Sequence, residues 1–231
     1  SQSSVITNED GWVKRGYSSN YCRPVFAVMD PELTMTLPSY QTACGCVDIL
    51  MHTMERYFNH SGSMEITDGI AEALMQTVIR NAPIVMQRPD DYNARAEIMW
   101  AGSLSHNGLT DCGCDHGDWA THKMEHELGG LFDVAHGAGL AAIWGSWARY
   151  VCDADYARFA RFATKVLNVA PQATDRETAL AGIAAMEQFY RSIQMPTSLR
   201  ELGVSPTEEQ IQEMTRKCIL ATKGPAGKVK P

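Results

Sequence analysis

The sequence predicts a mainly α-helical protein with a short strand region at its amino-terminal end. From Ser39 onward, apolar residues recur at intervals of three and four, which is the period of an amphipathic helix. The first thirty residues instead contain short β-branched and apolar segments bounded by turn residues, a composition typical of strands. We therefore expect strands and a linker in residues 1–38 and an all-helical domain in residues 39–231.

The strand region has two candidate strands, residues 4–7 and 24–29. Two or three short strands do not form a stable sheet alone, so we expect them to need partners. Asp30-Pro31 and Leu37-Pro38 then indicate an extended link into the helices, because the residue before a proline is restricted to extended conformations.

The helical region is divided by turn and capping residues. Pro83 is expected to end the second helix, since proline breaks a helix interior. Ser205-Pro206-Thr207 is a good start for the last helix, and the fifth helix is apolar on most faces, so it should be central. The expected helices cover roughly residues 39–58, 67–80, 91–107, 119–137, 138–152, 155–167, 176–194 and 206–219.

Composition excludes several classes of protein. The net charge of −7 argues against nucleic-acid binding, which needs a basic face. The polar start lacks the features of a signal peptide, and no apolar run is long enough for a membrane span. Seven cysteines, an odd number without regular spacing, predict reduced thiols. We expect a cytoplasmic protein with neither nucleic acid nor membrane as a partner.

Histidines cluster in one stretch of the chain. His122 and His126 are four residues apart, so they share one face of a helix. His136 follows the Gly129-Gly130 pair, and a turn at or after these glycines would bring it back towards the other two. Neutral imidazoles suit zinc, iron, copper and nickel, so the stretch indicates a transition-metal site.

A histidine pair at this spacing is also often a half-exposed helix face with no ligand. The metal interpretation is favoured by a second pair, Asp48 and His52, four residues apart in an otherwise apolar helical segment. A carboxylate and an imidazole on one stripe of such a helix are costly to bury without a partner. A metal ion supplies that partner, and the two pairs predict a mononuclear site built from two helices.

Longer motifs surround these residues. The Asp48–His52 pair is preceded by Asp30-Pro31-Glu32-Leu33-Thr34 and Leu37-Pro38, and it is followed by His122-x-x-x-His126-Glu-Leu and then His136-Gly137. The phrases VITN, KRGYSS, DWATH and EHELGG accompany them. In order, spacing and flanking residues, this pattern resembles the iron-containing alcohol dehydrogenases, above all their butanol-dehydrogenase-like branch, over almost the entire chain.

The resemblance implies a metal site with four protein ligands, namely Asp48, His52, His122 and His136. The ion is expected to be Fe²⁺, with Zn²⁺ as the alternative. His126 matches the histidine that faces the substrate and the nicotinamide and handles a proton. Lys14 matches a lysine near the NAD(P)(H) cofactor, although the adjacent Arg15 is easily confused with it.

The resemblance also implies a fold and a reaction. The chain would be the multi-helix C-terminal domain of a dehydroquinate-synthase-like fold, with a few strands belonging to an α/β cofactor domain. No glycine-rich phosphate loop is present, so we expect a piece of a longer protein that is a homodimer at full length. The implied reaction is hydride transfer between NAD(P)(H) and a small alcohol or aldehyde such as butanol or butanal.

Two other functions are compatible with the same residues. A mononuclear metallohydrolase on a helical bundle would use these four ligands to activate water, without a nicotinamide. A non-enzymatic helical domain would use its histidines for structure alone. Ester hydrolysis with retained metal would favour the first alternative, and a metal content unaffected by loss of Asp48 or His122 would favour the second.

Overall fold

The computed structural model describes residues 3–58 and 62–230, and the mainly helical prediction is confirmed. Within these ranges the chain forms two strands and nine α-helices. The strands are β1 (Ser3–Asn8) and β2 (Val13–Ser18); the helices are α1 (Ser39–Tyr57), α2 (Glu65–Gln87), α3 (Tyr92–His106), α4 (Ala120–Phe132), α5 (His136–Val151), α6 (Tyr156–Leu167), α7 (Asp175–Ser192), α8 (Leu199–Leu202) and α9 (Glu208–Thr222).

The two strands form an antiparallel hairpin in which Ser3 lies opposite Ser18. The first predicted strand is therefore present, but the second was placed wrongly. Residues 24–29 are not a strand, and Val25 and Phe26 are largely exposed there. A β-branched composition favours extended backbone, but a strand also needs a neighbouring strand with which to form hydrogen bonds. The short turn at Gly11, where φ is +79°, folds residues 13–18 back against β1, so these residues form the second strand.

The second helix is longer than predicted. It continues through Pro83 to Gln87, so the expected end before this proline was wrong. Proline removes one helical hydrogen bond, but Ala82 and Val85 on either side are buried in the structure. Burial of this last stretch of the helix offsets the lost bond. In the described ranges, no helix has the length and apolar character needed to cross a membrane.

The hydrophobic core lies around α1, which packs against α2, α3 and α5. Val47, Leu50 and Met51 of α1 are fully buried. At the end of α1, the ring of Phe58 stacks on Phe159 of α6 with 4.2 Å between ring centroids. Helix α5, predicted to be central, contacts α1, α4 and α7. The site helices α1, α4 and α5 are thus held by the core itself.

A buried ion pair joins α2 to α6. Arg158 donates two hydrogen bonds to the carboxylate of Asp68, at 2.6 and 2.5 Å, and a third to the carbonyl oxygen of Tyr57 at 2.8 Å. Its guanidinium also lies 3.7 Å from the centroid of the Tyr57 ring. The side chains of Arg158 and Asp68 are only 13% and 5% exposed. Arg161 lies farther away, 3.7 Å from the Asp68 carboxylate, so loss of Arg158 would leave this buried charge only partly compensated.

We expect Arg158→Met to lower the free energy of unfolding by up to about 3–5 kcal/mol, because the buried carboxylate of Asp68 loses two hydrogen bonds and its nearest positive charge. The matched control is Arg149→Met, which breaks a similar two-bond pair with Glu187 in which the arginine is 47% exposed. Its loss should cost less than about 1 kcal/mol. Equilibrium denaturation of both variants measures the difference, and equal losses would contradict this account of the α2–α6 contact.

Candidate metal centre

The four predicted ligands lie together where α1, α4 and α5 meet. Asp48 and His52 are one turn apart on α1, His122 lies on α4, and His136 is the first residue of α5. The Oδ1 atom of Asp48 lies 3.7 Å from Nε2 of His52, 3.4 Å from Nε2 of His122 and 3.5 Å from Nε2 of His136. The predicted approach of Asp48 and His52 to His122 and His136 is therefore found. The expectation of two helices was wrong, because α4 ends before His136 and a third helix, α5, carries this residue.

These separations fit a metal-ligand set. Donor atoms bound at about 2.1 Å in a tetrahedral arrangement lie about 3.4 Å from one another. Among the described residues, Oδ1 of Asp48 and Nε2 of His122 are also buried without a hydrogen-bond partner. Buried polar atoms rarely stay unpaired, and a cation between them would satisfy both. The donor set fits a divalent transition metal; its binding stays a prediction.

The charges of the site suit a cation. Burial lowers the pKa of His52 to about 2, so its ring is neutral and keeps a lone pair for a metal. Burial opposes ionisation of Asp48, but the facing His122, His52 and His136 rings hold the pKa of its carboxyl below the usual value. Burial also opposes protonation of His122, yet the carboxylate of Glu55 raises the pKa of this imidazole to about 10.

Two buried glutamates accept hydrogen bonds from the ring nitrogens that face away from Asp48. Glu55 accepts a hydrogen bond from Nδ1 of His122 at 2.7 Å and another from its backbone N–H at 3.1 Å. Glu125 accepts a hydrogen bond from Nδ1 of His136. Because a carboxylate only accepts, Nδ1 of each ring carries a proton and Nε2 is directed towards Asp48, where a bound metal would displace the second proton that the raised pKa of His122 implies. Both rings are therefore oriented for binding through Nε2.

The sequence signals for these two glutamates differ. Glu125 stands beside His126 in the histidine motif, and it contacts both His136 and Lys14, the latter at 3.1 Å. Glu55 was missed. Its position seven residues after Asp48 is a usable signal, because that spacing returns to the same face of a helix.

Other histidines have different positions. His106, at the end of α3, was missed: its Nε2 lies 3.9 Å from Oδ2 of Asp48, and its ring centroid is 3.9 Å from that of His52. No local spacing indicates this contact, because α3 is a separate helix. His116 does not belong to the ligand set: its side chain is 85% exposed and lies near Asp111. His60, interpreted as a surface residue, lies outside the described residues.

His126, the predicted catalytic residue, is half-buried on α4 beside the ligand set. Its ring centroid lies 5.9 Å from that of His136, and a ring nitrogen lies within 4.8 Å of ligand atoms of Glu125 and His136. Burial lowers the pKa of His126 to about 4. The imidazole is therefore neutral at neutral pH and carries both a donor and an acceptor nitrogen.

Lys14, the predicted cofactor contact, lies on β2 and faces α4. Its ammonium donates hydrogen bonds to both oxygens of Glu125, whereas the adjacent Arg15 donates to Glu127 at 2.8 Å. The two cations that the sequence could confuse thus have separate partners. The role of Lys14 in cofactor binding stays a prediction.

The turn expected at or after the Gly129-Gly130 pair comes after it. Helix α4 runs through both glycines, and the chain turns at Asp133, where φ is +50°. A Cβ atom at Gly129 would lie 2.6 Å from Oε1 of Glu125 and 2.7 Å from Nζ of Lys14. These glycines therefore leave the space in which β2 crosses α4.

Gly137 permits the closest backbone approach at the site. A Cβ atom on it would lie 2.1 Å from the carbonyl oxygen of Cys44 on α1. The start of α5 therefore rests directly on the backbone of α1, one turn before Asp48. This contact is what brings His136 to within 3.5 Å of Asp48.

Comparisons with known proteins agree with this architecture. Residues 42–228 match the model of the "Fe-containing alcohol dehydrogenase family, C-terminal". The chain is 36% identical to NADH-dependent butanol dehydrogenase A of Clostridium acetobutylicum over 231 residues, all of this chain and 59% of that protein. It is 34% identical to NADPH-dependent aldehyde reductase YqhD of Escherichia coli, over 87% of this chain and 51% of the relative.

The same likeness is found among solved structures. The crystal structure of NADH-dependent butanol dehydrogenase A from Thermotoga maritima superposes with a TM-score of 0.91 at 34% identity. The match covers 99% of this chain and 58% of the other. This chain thus spans less than two thirds of the length of these relatives.

We expect Gly137→Ala to destabilise the protein by about 3 kcal/mol, because the added methyl group meets rigid backbone rather than a side chain. Gly45→Ala is the matched control: Gly45 lies on α1, and a Cβ there meets nothing within 4 Å. That change should stabilise by about 0.5–1 kcal/mol. The denaturant midpoints of the two variants measure the difference. If Gly137→Ala is as stable as the control, the close contact between α5 and the α1 backbone is wrong.

Proposed function

The chain belongs to the Fe-containing alcohol dehydrogenase family, and we propose that it is the metal-binding part of an NAD(P)(H)-dependent alcohol dehydrogenase that acts as an aldehyde reductase. The family match confirms the resemblance indicated by the motifs. The names of two relatives, a butanol dehydrogenase and an aldehyde reductase, support a small alcohol or aldehyde as substrate. The observation that carries the proposal is the convergence of three imidazoles on one oxygen of Asp48.

We propose Fe²⁺ as the ion, with Zn²⁺ as the alternative, held by Asp48, His52, His122 and His136. Imidazole and carboxylate ligands suit either ion. When bound, the ion supplies Lewis acidity that polarises a carbonyl oxygen, and the nicotinamide supplies the hydride. The four residues contribute the orientation and the negative charge that hold the cation.

His126 is proposed as the residue that exchanges a proton with the substrate oxygen. It lies one turn from His122 on the same helix, and its ring is beside that of His136. A side chain so close to the ligand set can reach an oxygen held there, directly or through one water, as general acid–base catalysis requires. We further propose that the ammonium of Lys14 contacts the cofactor.

The first test is the metal content of anaerobically purified protein. We expect about one Fe or Zn per chain, as a four-ligand site implies, and its loss in His122→Ala. His116→Ala is the matched control, since His116 is largely exposed and is not a predicted ligand. Elemental analysis of the three proteins provides the measurement. Equal metal content in wild type and His122→Ala would contradict the ligand assignment.

The second test separates metal binding from proton transfer. We expect His126→Gln to keep the wild-type metal content but to lower kcat for butanal reduction by roughly 10²–10⁴-fold, the usual contribution of a general acid. The assay uses a chimera in which the amino-terminal part of the Clostridium butanol dehydrogenase precedes this chain, and it follows the loss of nicotinamide absorbance. Unchanged kcat would exclude this role for His126, and metal-dependent ester hydrolysis without nicotinamide would favour a hydrolase instead.

A further inference from the structure

Glu125 connects a predicted metal ligand to a lysine of the strand region. Its carboxylate is fully buried, with 0% of the side chain exposed. It accepts a hydrogen bond from Nδ1 of His136 and two from the ammonium of Lys14, at 3.1 and 3.2 Å. Lys14 is itself only 14% exposed. The three side chains form a continuous link from β2 through α4 to the start of α5.

The other supported imidazole lacks such a link. Glu55 is bound by Nδ1 and the backbone N–H of His122, and it lies on α1 within the helical core. The carboxylate that orients His122 therefore comes from the helical core. The position of His136 depends on a carboxylate whose second partner belongs to a different structural element. A change at Lys14 on the strand region should therefore affect the position of His136.

We propose that Glu125 is a positioning residue of the metal site and that Lys14, acting through Glu125, sets how tightly His136 and the ion are held. This inference rests on the proposed function, because it requires that His136 binds a metal. Lys14 is also the residue proposed to meet the cofactor. Any anionic group that engages its ammonium would therefore change metal affinity, and the bound ion would change the affinity for that group by the same factor.

The physical reason is the cost of a buried charge. Without Lys14, the fully buried carboxylate of Glu125 keeps, among the described residues, only the imidazole of His136 as a hydrogen-bond donor. An incompletely compensated buried carboxylate is strongly unfavourable, so the group and the helix around it rearrange. Since Glu125 fixes the ring orientation of His136, its displacement also displaces a metal ligand.

The chain offers a matched control in the neighbouring pair. Arg15 and Glu127 join the same strand to the same helix at 2.8 Å, and Glu127 is 3% exposed. The structure gives Glu127 no contact with a predicted metal ligand among the described residues. Breaking this pair should therefore disturb the β2–α4 contact as much as breaking the Lys14–Glu125 pair, without a direct effect on His136.

The experiment measures Co²⁺ binding to the 231-residue chain by competition with a chelator, together with the visible absorption spectrum of bound Co²⁺, which reports ligand geometry. The variants are Lys14→Met, Glu125→Gln and the double variant, beside Arg15→Met and Glu127→Gln. Circular dichroism verifies folding. We expect Glu125→Gln to weaken Co²⁺ binding by roughly 10-fold or more, as the loss of a residue behind a ligand usually does.

Lys14→Met should weaken binding in the same direction and alter the Co²⁺ spectrum. The double variant should lose less than the product of the single losses, since both changes act through one link. Arg15→Met and Glu127→Gln should keep the wild-type affinity and spectrum. If the two pairs behave alike, or if the two single losses multiply, the inference is wrong while the metal site stands. Failure of the wild-type chain to bind Co²⁺ would overturn the proposed function and this inference together.

Discussion

The structure is organised around one buried carboxylate oxygen faced by three imidazoles. Oδ1 of Asp48 lies within 3.7 Å of three Nε2 atoms and has no hydrogen-bond partner among the described residues. Such an arrangement costs free energy without a cation, so the surrounding fold has to hold it in place. The core around α1 provides that support, and the close contact of Gly137 with the α1 backbone fixes the position of the third ring.

Helix α4 connects the site to the rest of the molecule because its successive side chains point in different directions. His122 faces α1, Glu125 faces both α5 and β2, and Glu127 meets Arg15 on the strand. His126 lies beside the ligand set without belonging to it. A single helix of 3.6 residues per turn can serve all these neighbours because residues three, four and five apart are rotated by different angles around its axis. The glycines at its end then leave space for the strand to cross it.

The two carboxylates that accept hydrogen bonds from the imidazoles belong to different parts of the structure. The carboxylate of Glu55 accepts hydrogen bonds from His122 within the helical core, whereas that of Glu125 also accepts hydrogen bonds from Lys14 of the strand region. Both direct Nε2 of the ring towards Asp48, as metal-ligating histidines require. The family assignment and the local geometry thus support each other: one rests on the order of motifs along the chain, the other on distances between atoms.

The sequence by itself determined the helical class, most helix positions, the family and the four residues that converge on the site. These features are local or ordered along the chain: amphipathic periods, caps, the four-residue spacing of Asp48 with His52, and the order of the histidine motifs. The sequence did not reveal strand β2, the continuation of α2 through Pro83, or the approach of His106 and Glu55 to the site. The tertiary structure decided these, because strand pairing, burial beyond a proline and contacts between separate helices depend on neighbours that are distant in sequence.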